Sequence, residues 1–220
     1  MKDERAAKVL QILQKEFTTP RQAKMARDPF ATFVIAILSQ NTADHNTAMA
    51  FKQLSSRFKI SPEVLAYART EEIEDAIKPA GLFKNKAKTI RHAATLILEK
   101  YEGTLKPILS LPLEEARLTL MQFPGVGPKT ADVVLLFSSR KPTIPVDTHV
   151  NRVAKRLGFA PFKGKYETVR RSLQSLFKPR EYFAIHVLLI SHVMKICKAM
   201  HPYCNHCPVN EYCPTKGQWG

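Results

Sequence analysis

Apolar residues recur along most of this chain at the three- and four-residue spacing that places side chains on one face of an α-helix. The first such face is formed by Val9, Leu10, Leu13 and Phe17. A second follows Pro29, a residue favoured in the first turn of a helix, and comprises Phe30, Phe33, Val34, Ile37 and Leu38. A third is predicted at Ala48, Phe51, Leu54 and Phe58.

The pattern continues, with helix-start signals, through the rest of the chain. Ser61-Pro62-Glu63 and Thr70-Glu71-Glu72 each combine a hydroxyl residue with acidic residues, as helix N-termini do. Further helices are predicted over residues 85–101, 113–121, 129–138, 148–157, 166–177 and 181–195. The only strand-like segment, Thr143-Ile144-Pro145-Val146, is short and contains a proline. We therefore predict an all-α fold of about ten helices.

Positive charge indicates the kind of partner. Lys and Arg number 34 against 19 Asp and Glu, which gives a net charge of +15. Such an excess favours a polyanionic partner, with nucleic acid first, although a solvated basic surface would give the same composition. The charged start Met1–Arg5 does not resemble a signal peptide, and no apolar stretch is long enough to span a bilayer. We expect an intracellular, cytoplasmic protein of prokaryotic type that is associated with the nucleoid and has no membrane partner.

All four cysteines lie in one short C-terminal stretch, with the spacing C-x6-C-x2-C-x5-C at Cys197, Cys204, Cys207 and Cys213. In a reducing compartment, such a cluster indicates metal binding rather than disulfides. Structural zinc sites usually use two tight cysteine pairs, whereas only Cys204 and Cys207 form one here. The wider outer loops favour a [4Fe–4S] cluster, with zinc as the alternative. The cluster would either organise a basic loop that binds phosphate or act as a structural staple.

A glycine-containing turn, Pro124-Gly125-Val126-Gly127, joins a helix that ends near Gln122 to one that begins at Pro128. Both glycines are expected to adopt left-handed backbone angles and to let a ligand approach closely. The free N–H groups at the start of the second helix would then bind a DNA phosphate without sequence preference. A phosphate-binding loop of the NTPase type is excluded, because Pro128 precedes the lysine and a helix replaces the required strand. An ordinary helix–helix connection is the alternative.

Lys129 and Asp147 are the candidate catalytic residues. Lys129 falls in the first turn of a helix, where the helix dipole and the surrounding positive charge disfavour a cation. A lysine that loses its proton near neutrality is a candidate nucleophile. Asp147 precedes another predicted helix, so N-capping is its simplest role. A rigidly held capping carboxylate at the edge of a cleft is also able to face a substrate.

Three motifs together resemble the endonuclease III family of helix–hairpin–helix base-excision DNA glycosylases. They are Phe-Pro-Gly-Val-Gly-Pro-Lys-Thr-Ala, Val-Asp-Thr-His-Val and the terminal cysteine pattern, and their order covers nearly the whole chain. The resemblance implies two helical domains with DNA bound between them. One is a six-helix barrel over residues 25–138, with the helix–hairpin–helix at about 113–138. The other is a discontinuous domain of residues 1–24 and 139–220, with the [4Fe–4S] loop at 197–213.

The family's chemistry is carried over to the matching residues. The resemblance implies a monomer that binds double-stranded DNA containing a damaged base, an oxidised pyrimidine by analogy, or an abasic site. The base is flipped out, Lys129 attacks the anomeric carbon of the deoxyribose to form a Schiff base, and β-elimination cuts the strand. Asp147 takes a proton from the lysine or stabilises positive charge on the sugar. Relatives that lack this lysine stop at base removal, so a monofunctional mismatch or adenine glycosylase is one alternative. A non-catalytic iron–sulfur nucleic-acid-binding protein is another.

The resemblance also assigns DNA contacts. The segment Leu38–Asp44 is similar to the loop that fills the space left by the flipped base, with either Gln40 or Asn41 entering the stack. Leu82 resembles an opposing wedge, for which core packing is the alternative. The remaining predicted DNA contacts are the hairpin residues Gly125, Val126, Gly127 and Thr130, together with His149. Pro128 replaces a basic residue that relatives often carry, which is expected to weaken one phosphate contact.

Overall fold

The computed structural model describes residues 2–17 and 28–219. These residues form twelve α-helices and several short 3-10 turns, and no strand occurs among them. The helices are α1 (Lys2–Glu16), α2 (Pro29–Leu38), α3 (Asp44–Arg57), α4 (Pro62–Tyr67), α5 (Thr70–Ala76), α6 (Phe83–Lys100), α7 (Lys106–Ser110), α8 (Leu113–Met121), α9 (Pro128–Ser139), α10 (Thr148–Arg156), α11 (Tyr166–Leu176) and α12 (Tyr182–Lys195). The all-α prediction is confirmed. In the described part of the chain, no helix is both long and apolar enough to cross a membrane.

Two details of the helix pattern differ from the sequence prediction. Helix α3 buries Thr47, Ala50 and Leu54, whereas Ala48 is exposed. Of the predicted face, Leu54 is buried and Phe51 and Phe58 pack against the core, so the prediction is wrong for Ala48 alone. Helix α7 was not predicted, since its five residues are too few to reveal a helical period.

The chain divides into two compact units. The described residues within Lys24–Lys141 form one, called here the hairpin unit, and those within Met1–Ala23 and Pro142–Gly220 form the other, called the cysteine unit. The predicted domain boundary between residues 24 and 25 lies outside the described residues. The assignment of a six-helix barrel and a cluster domain stays a prediction.

Helix α2 lies at the centre of the hairpin unit. Eight of its ten residues are buried, although it begins directly after the charged residue Asp28. The Asp28 carboxylate caps the helix by accepting the N–H of Phe30 at 2.8 Å, which satisfies one of the free donors of the first turn. Helix α9, which carries Lys129, packs against α2. The candidate nucleophile is thus mounted on a helix that is supported by the centre of the core.

The cysteine unit has its own apolar core, built from α1, α10, α11 and α12. Arg5 of α1 connects three distant parts of this unit. One of its nitrogens, Nη1, donates to the carbonyls of Leu157 at 2.8 Å and of Tyr212 at 3.0 Å. The N-terminal helix is therefore tied both to the end of α10 and to the segment that carries the cysteines.

Candidate active site and cysteine centre

Of the two glycines in the turn between α8 and α9, only Gly125 occupies a position that requires glycine. Gly125 has φ +72°, and a Cβ there would come within 3.1 Å of the Thr89 side chain. Gly127 has φ −94° and ψ 179°, an extended conformation at the N-cap of α9 that any residue adopts. The expectation that both glycines are left-handed is therefore wrong for Gly127. A Cβ at Gly127 would meet no protein atom within 4 Å, so the space in front of it is open.

This turn presents several unpaired backbone donors. Among the described residues, nothing accepts a hydrogen bond from the N–H groups of Gly125, Gly127, Lys129 and Thr130. These N–H groups lie just before α9 and in its first turn. The dipole of this 12-residue helix adds partial positive charge at the same end. Val126 adds no free donor, because its N–H donates to the Phe123 carbonyl at 3.1 Å and its side chain is buried in the core of the hairpin unit. The arrangement is suited to a phosphate or another anion.

The side chains of Gln40 and Thr130 contact one another. The side-chain amide of Gln40 donates to the Gly125 carbonyl at 3.0 Å and to the Thr130 hydroxyl at 3.1 Å. Thr130 is buried, and its hydroxyl holds the segment after α2 against the turn. The neighbouring Asn41 is exposed and has φ +51°. Of the two candidates for filling the stack, Gln40 is engaged within the protein, whereas Asn41 has no side-chain hydrogen bond to any residue that the structure describes.

Leu82 is exposed at the N-terminus of α6. Its side chain is 61% exposed, so the core-packing alternative is excluded. Its backbone is left-handed, with φ +47°, and follows Gly81 at φ +61° and ψ 162°. A leucine in the left-handed region costs about 1–2 kcal/mol. Because the Leu82 side chain is exposed, apolar burial does not offset this cost. Strain together with apolar exposure is a common mark of a functional position.

Lys129 occupies the second position of α9 and is half-buried. An ion pair holds α8 and α9 together about one turn further along α9, with Arg117 Nε 3.0 Å from Asp132 Oδ1. Both residues are buried, and Asp132 is 0% exposed. A buried pair of this kind fixes the mutual position of two helices because separating it would leave an uncompensated charge. Lys129 is thus presented from a rigid pair of helices.

Asp147 caps α10 in the cysteine unit. Its Oδ1 accepts the N–H of Val150 at 2.7 Å, which is the capping role that its position predicted. No donor in the described part of the chain reaches Oδ2. The preceding segment is anchored from α12, where His186 Nδ1 lies 3.0 Å from the Pro145 carbonyl oxygen. The cap and the anchor hold one carboxylate oxygen rigidly and leave the other available.

His149, another predicted DNA contact, lies in the first turn of α10. Its Nδ1 is 3.4 Å from Arg152 Nη2, one turn further along the helix. Both side chains are half-buried. His149 therefore contacts Arg152 rather than Asp147, and the pair forms a separate polar group on this helix.

The four cysteines line a single cavity at the C-terminal end of the cysteine unit. The cavity has about 380 Å³ of empty space, part of it open to solvent, and Arg156, His192 and Trp219 also contact it. Burial raises the pKa of Cys207 to about 11 and also raises the pKa of Cys197. Thiolates in this position need strong positive charge nearby, which a metal centre supplies. Four thiol donors around a shared space fit a [4Fe–4S] group.

In residues 2–17 and 28–219, no group of three or more His, Cys, Asp or Glu side chains converges closely enough to bind one ion. The four cysteine side chains line one cavity but do not converge on a single position within it.

Arg156 organises the walls of this cavity and was not identified from the sequence. Its guanidinium donates to the carbonyls of Lys198 at 2.7 Å and Ala199 at 2.9 Å and lies 3.5 Å from Cys197 Sγ. Its own carbonyl accepts the Thr215 hydroxyl at 3.0 Å. One residue of α10 therefore binds the chain on both sides of the cysteine loop. A single arginine on an amphipathic helix carries no sequence signal for such long-range contacts.

Comparison with known proteins identifies the family. The profile of the HhH-GPD superfamily base excision DNA repair proteins matches residues 34–179. The chain is 36% identical to endonuclease III of Sulfolobus acidocaldarius over 203 residues, covering 92% of this chain and 89% of the relative. It is 35% identical to endonuclease III of Thermotoga maritima over 194 residues, covering 88% and 86%.

A solved structure agrees with these sequence matches. A trapped covalent intermediate of endonuclease III with DNA superposes with a TM-score of 0.86 at 30% identity, covering 98% of this chain and 97% of that one. The resemblance predicted from the three motifs is confirmed along nearly the full length. The chain belongs to the endonuclease III family, within the HhH-GPD superfamily of base excision DNA repair proteins.

Proposed function

We propose that this protein is a bifunctional DNA glycosylase and abasic-site lyase that uses Lys129 as its nucleophile and removes oxidised pyrimidines from duplex DNA. The observation that carries the proposal is the position of Lys129 in the first turn of α9, directly after an anion-binding turn with unpaired N–H groups. A DNA phosphate bound at that turn brings the sugar–phosphate chain to the lysine. Endonuclease III itself has been trapped as a covalent intermediate with DNA, which supports a covalent route.

The proposed chemistry uses the lysine twice. The neutral Lys129 amine attacks the anomeric carbon of the damaged nucleotide, and the bond to the base breaks with its electron pair leaving on the base. The base takes up a proton, the sugar ring opens, and an iminium links Nζ to the sugar. Loss of a proton from the adjacent carbon then expels the 3′ phosphate, which cuts the strand. Water hydrolyses the imine and releases the lysine.

Asp147 is proposed to assist this reaction through the carboxylate oxygen that the helix cap leaves available. Its Oδ1 is fixed by the Val150 N–H, so the side chain loses little freedom when a substrate arrives. An oriented carboxylate is suited either to accepting a proton from Lys129 or to stabilising positive charge on the sugar.

The DNA contacts follow from exposure and backbone conformation. We assign phosphate binding to the turn at Gly125–Gly127 and entry into the base stack to Leu82 and Asn41, which are exposed and left-handed. Gln40 supports the turn from within the protein. Opening a stack with an apolar side chain costs a few kcal/mol per step, which the contacts to the distorted DNA offset.

Cys197, Cys204, Cys207 and Cys213 are proposed to hold a [4Fe–4S] cluster. The cluster supplies a fixed, multiply bonded centre around which the C-terminal loop folds. The loop carries Lys198, His201 and His206 on its exposed side, so its folding also arranges a basic surface. Lys198 Nζ donates to the Tyr203 hydroxyl at 3.1 Å, which orders part of that surface.

Borohydride trapping tests the proposed activity. The protein is incubated with a duplex containing thymine glycol, reduced, and analysed for a covalent protein–DNA adduct. We expect wild type to form the adduct and Lys129→Gln to form none while still binding the duplex. Base release without an adduct or strand cutting would support the monofunctional alternative. Equal trapping by wild type and Lys129→Gln would refute the lysine assignment.

A lesion panel tests the proposed substrate class. We expect single-turnover excision to be faster on thymine glycol and dihydrouracil than on 8-oxoguanine, a G·T mismatch or adenine opposite 8-oxoguanine. A preference for either of the last two would replace the oxidised-pyrimidine assignment with mismatch or adenine specificity. In size-exclusion chromatography, we expect the free protein to elute at monomer size and the DNA-bound protein to elute as a complex of one protein with one duplex.

A further inference from the structure

Lys86 is a charged side chain inside the hairpin unit. It belongs to α6 and is only 4% exposed. Its Nζ donates to the carbonyls of Leu38 and Ala80, both at 2.8 Å, and to the Thr42 hydroxyl at 2.6 Å. An ammonium group has three N–H donors, so each donor has an acceptor. No carboxylate in the described part of the chain forms an ion pair with Lys86, which makes this a costly residue to bury.

The three acceptors belong to the two segments that carry the exposed, left-handed residues. Leu38 and Thr42 flank the turn that contains Asn41, and Ala80 directly precedes Gly81 and Leu82. Thr42 and Ala80 are also linked directly, because the Thr42 hydroxyl lies within hydrogen-bond distance of the Ala80 carbonyl. A single ammonium group therefore fixes both segments relative to α6 and to each other.

Two other roles for Lys86 fit the geometry less well. A second amine nucleophile would need a lone pair and access to substrate. Burial does lower the pKa of Lys86, but three close acceptors hold the protonated form in place, and the side chain is shielded from solvent. A purely structural role in the core does not explain why all three acceptors lie in the two segments that carry Asn41 and Leu82.

We propose that Lys86 is a positioning residue that holds Asn41 and Leu82 at the spacing required to enter an opened base stack together. This inference rests on the proposed function. Both residues occupy the left-handed backbone region, which asparagine tolerates but which leucine leaves unless its surroundings enforce it. Without the ammonium group, the two segments separate or relax, and the protein loses the pre-arranged pair that keeps the damaged base outside the helix. Lys86 does not touch the reacting atoms.

The main test compares two substrates with Lys86→Met, which keeps the length of the side chain and removes its three donors. On a thymine-glycol duplex, where a base must be flipped, we expect single-turnover excision to fall by about tenfold to a hundredfold. On single-stranded abasic DNA, which has no base to flip and no duplex to open, borohydride trapping is expected to stay within about twofold of wild type. Lys100→Met, an exposed lysine at the other end of α6, is the matched control and is expected to behave as wild type on both.

A direct readout of the stack separates positioning from stability. With 2-aminopurine next to the lesion, wild type is expected to increase its fluorescence on binding, and Lys86→Met to give a smaller increase at saturation. Combining Lys86→Met with Leu82→Ala is expected to add little to the loss from Leu82→Ala alone, because both changes remove the same wedge. Thr42→Val, which removes one acceptor and keeps the charge, is expected to give a smaller loss of the same kind and serves if Lys86→Met does not fold.

Three results would overturn the inference. Equal losses on duplex and single-stranded substrates would place Lys86 in the chemistry or in global folding. Unchanged duplex excision in folded Lys86→Met, or in Thr42→Val if only that variant folds, would remove the positioning role. Additive losses in the double variant would show that Lys86 does not act through Leu82. Failure of wild type to trap either substrate would instead refute the proposed function, so the two failures are distinguishable.

Discussion

Gln40 and Gly125 are joined by a hydrogen bond of 3.0 Å from the side-chain amide of Gln40 to the Gly125 carbonyl. This bond connects the segment after α2 to the turn before α9. The same amide reaches the Thr130 hydroxyl, so the link has two points of attachment. The position of the proposed phosphate-binding turn relative to the Asn41 loop is thus set within the protein, before DNA arrives.

Gln40 and Asn41 should therefore respond differently to alanine substitution. Gln40→Ala is expected to lower the free energy of unfolding by about 1 kcal/mol, because two internal hydrogen bonds are lost. Asn41→Ala should leave stability unchanged and slow excision from duplex DNA. Urea unfolding and single-turnover excision measure the two effects. The reverse outcome would be a destabilised Asn41→Ala and a stable Gln40→Ala that excises the base slowly. That outcome would make Asn41 the internal support and Gln40 the residue that enters the stack.

The two glycines of the turn provide a second matched pair. Gly125→Ala meets both a left-handed backbone and the Thr89 side chain, so we expect it to lower the free energy of unfolding by about 1–3 kcal/mol. Gly127→Ala meets no protein atom and has an ordinary backbone conformation, so it should be as stable as wild type. Its added methyl group instead obstructs the approach of a phosphate, and DNA affinity should fall. Thermal unfolding and fluorescence anisotropy with labelled duplex measure the pair. Wild-type affinity in Gly127→Ala would argue against phosphate binding at this turn.

Trp219 is the only tryptophan of the chain and lies against the cysteine cavity. Its Nε1 donates to the Thr215 hydroxyl at 2.9 Å, and its ring centroid is 4.6 Å from the Arg156 guanidinium carbon. An iron–sulfur cluster absorbs light at the wavelengths at which tryptophan emits, so we expect weak emission from the cluster-loaded protein. Oxidative loss of iron should increase that emission in step with the decrease in visible absorbance. Emission that is independent of iron content would contradict a cluster at this cavity.

Arg156→Met should loosen the loop around the cluster. The substitution removes the charged hydrogen bonds to Lys198 and Ala199, each worth about 1.5–3 kcal/mol. We expect faster release of iron to a chelator and a lower unfolding temperature, with the hairpin unit unaffected in its hydrogen exchange. Arg156→Lys should recover only part of the loss, because an ammonium group cannot reproduce the planar fork. Iron release at the wild-type rate would show that the cluster loop does not depend on Arg156.

Local sequence signals predicted much of the fold and part of the site. Pro128 and Asp147 carry short-range rules for helix starts, and α9 and α10 begin where those rules place them. The family, the all-α fold and the glycosylase/lyase class followed from motifs and are confirmed. The cysteine spacing predicted that the four thiols come together, and they line one cavity.

The hydrophobic pattern and the motifs did not predict contacts between segments that are distant in the sequence. Lys86 and Arg156 look like ordinary basic residues on amphipathic helices, and only the folded chain brings their acceptors together. The exposure of Leu82 was also undetermined, because an apolar residue at the start of a helix is as consistent with core packing. Gly127 was assigned the wrong backbone region because the motif alone does not distinguish an N-cap from a left-handed turn position.

Mapping the covalent adduct is the most direct measurement of the proposed catalysis. The borohydride-reduced complex with a thymine-glycol duplex is digested with nuclease and protease, and the modified peptide is sequenced by mass spectrometry. We predict a sugar remnant on the Nζ of Lys129 and on no other lysine. A remnant on Lys86 or on another amine, or strand cutting with no adduct at all, would contradict the assignment of Lys129 as the nucleophile.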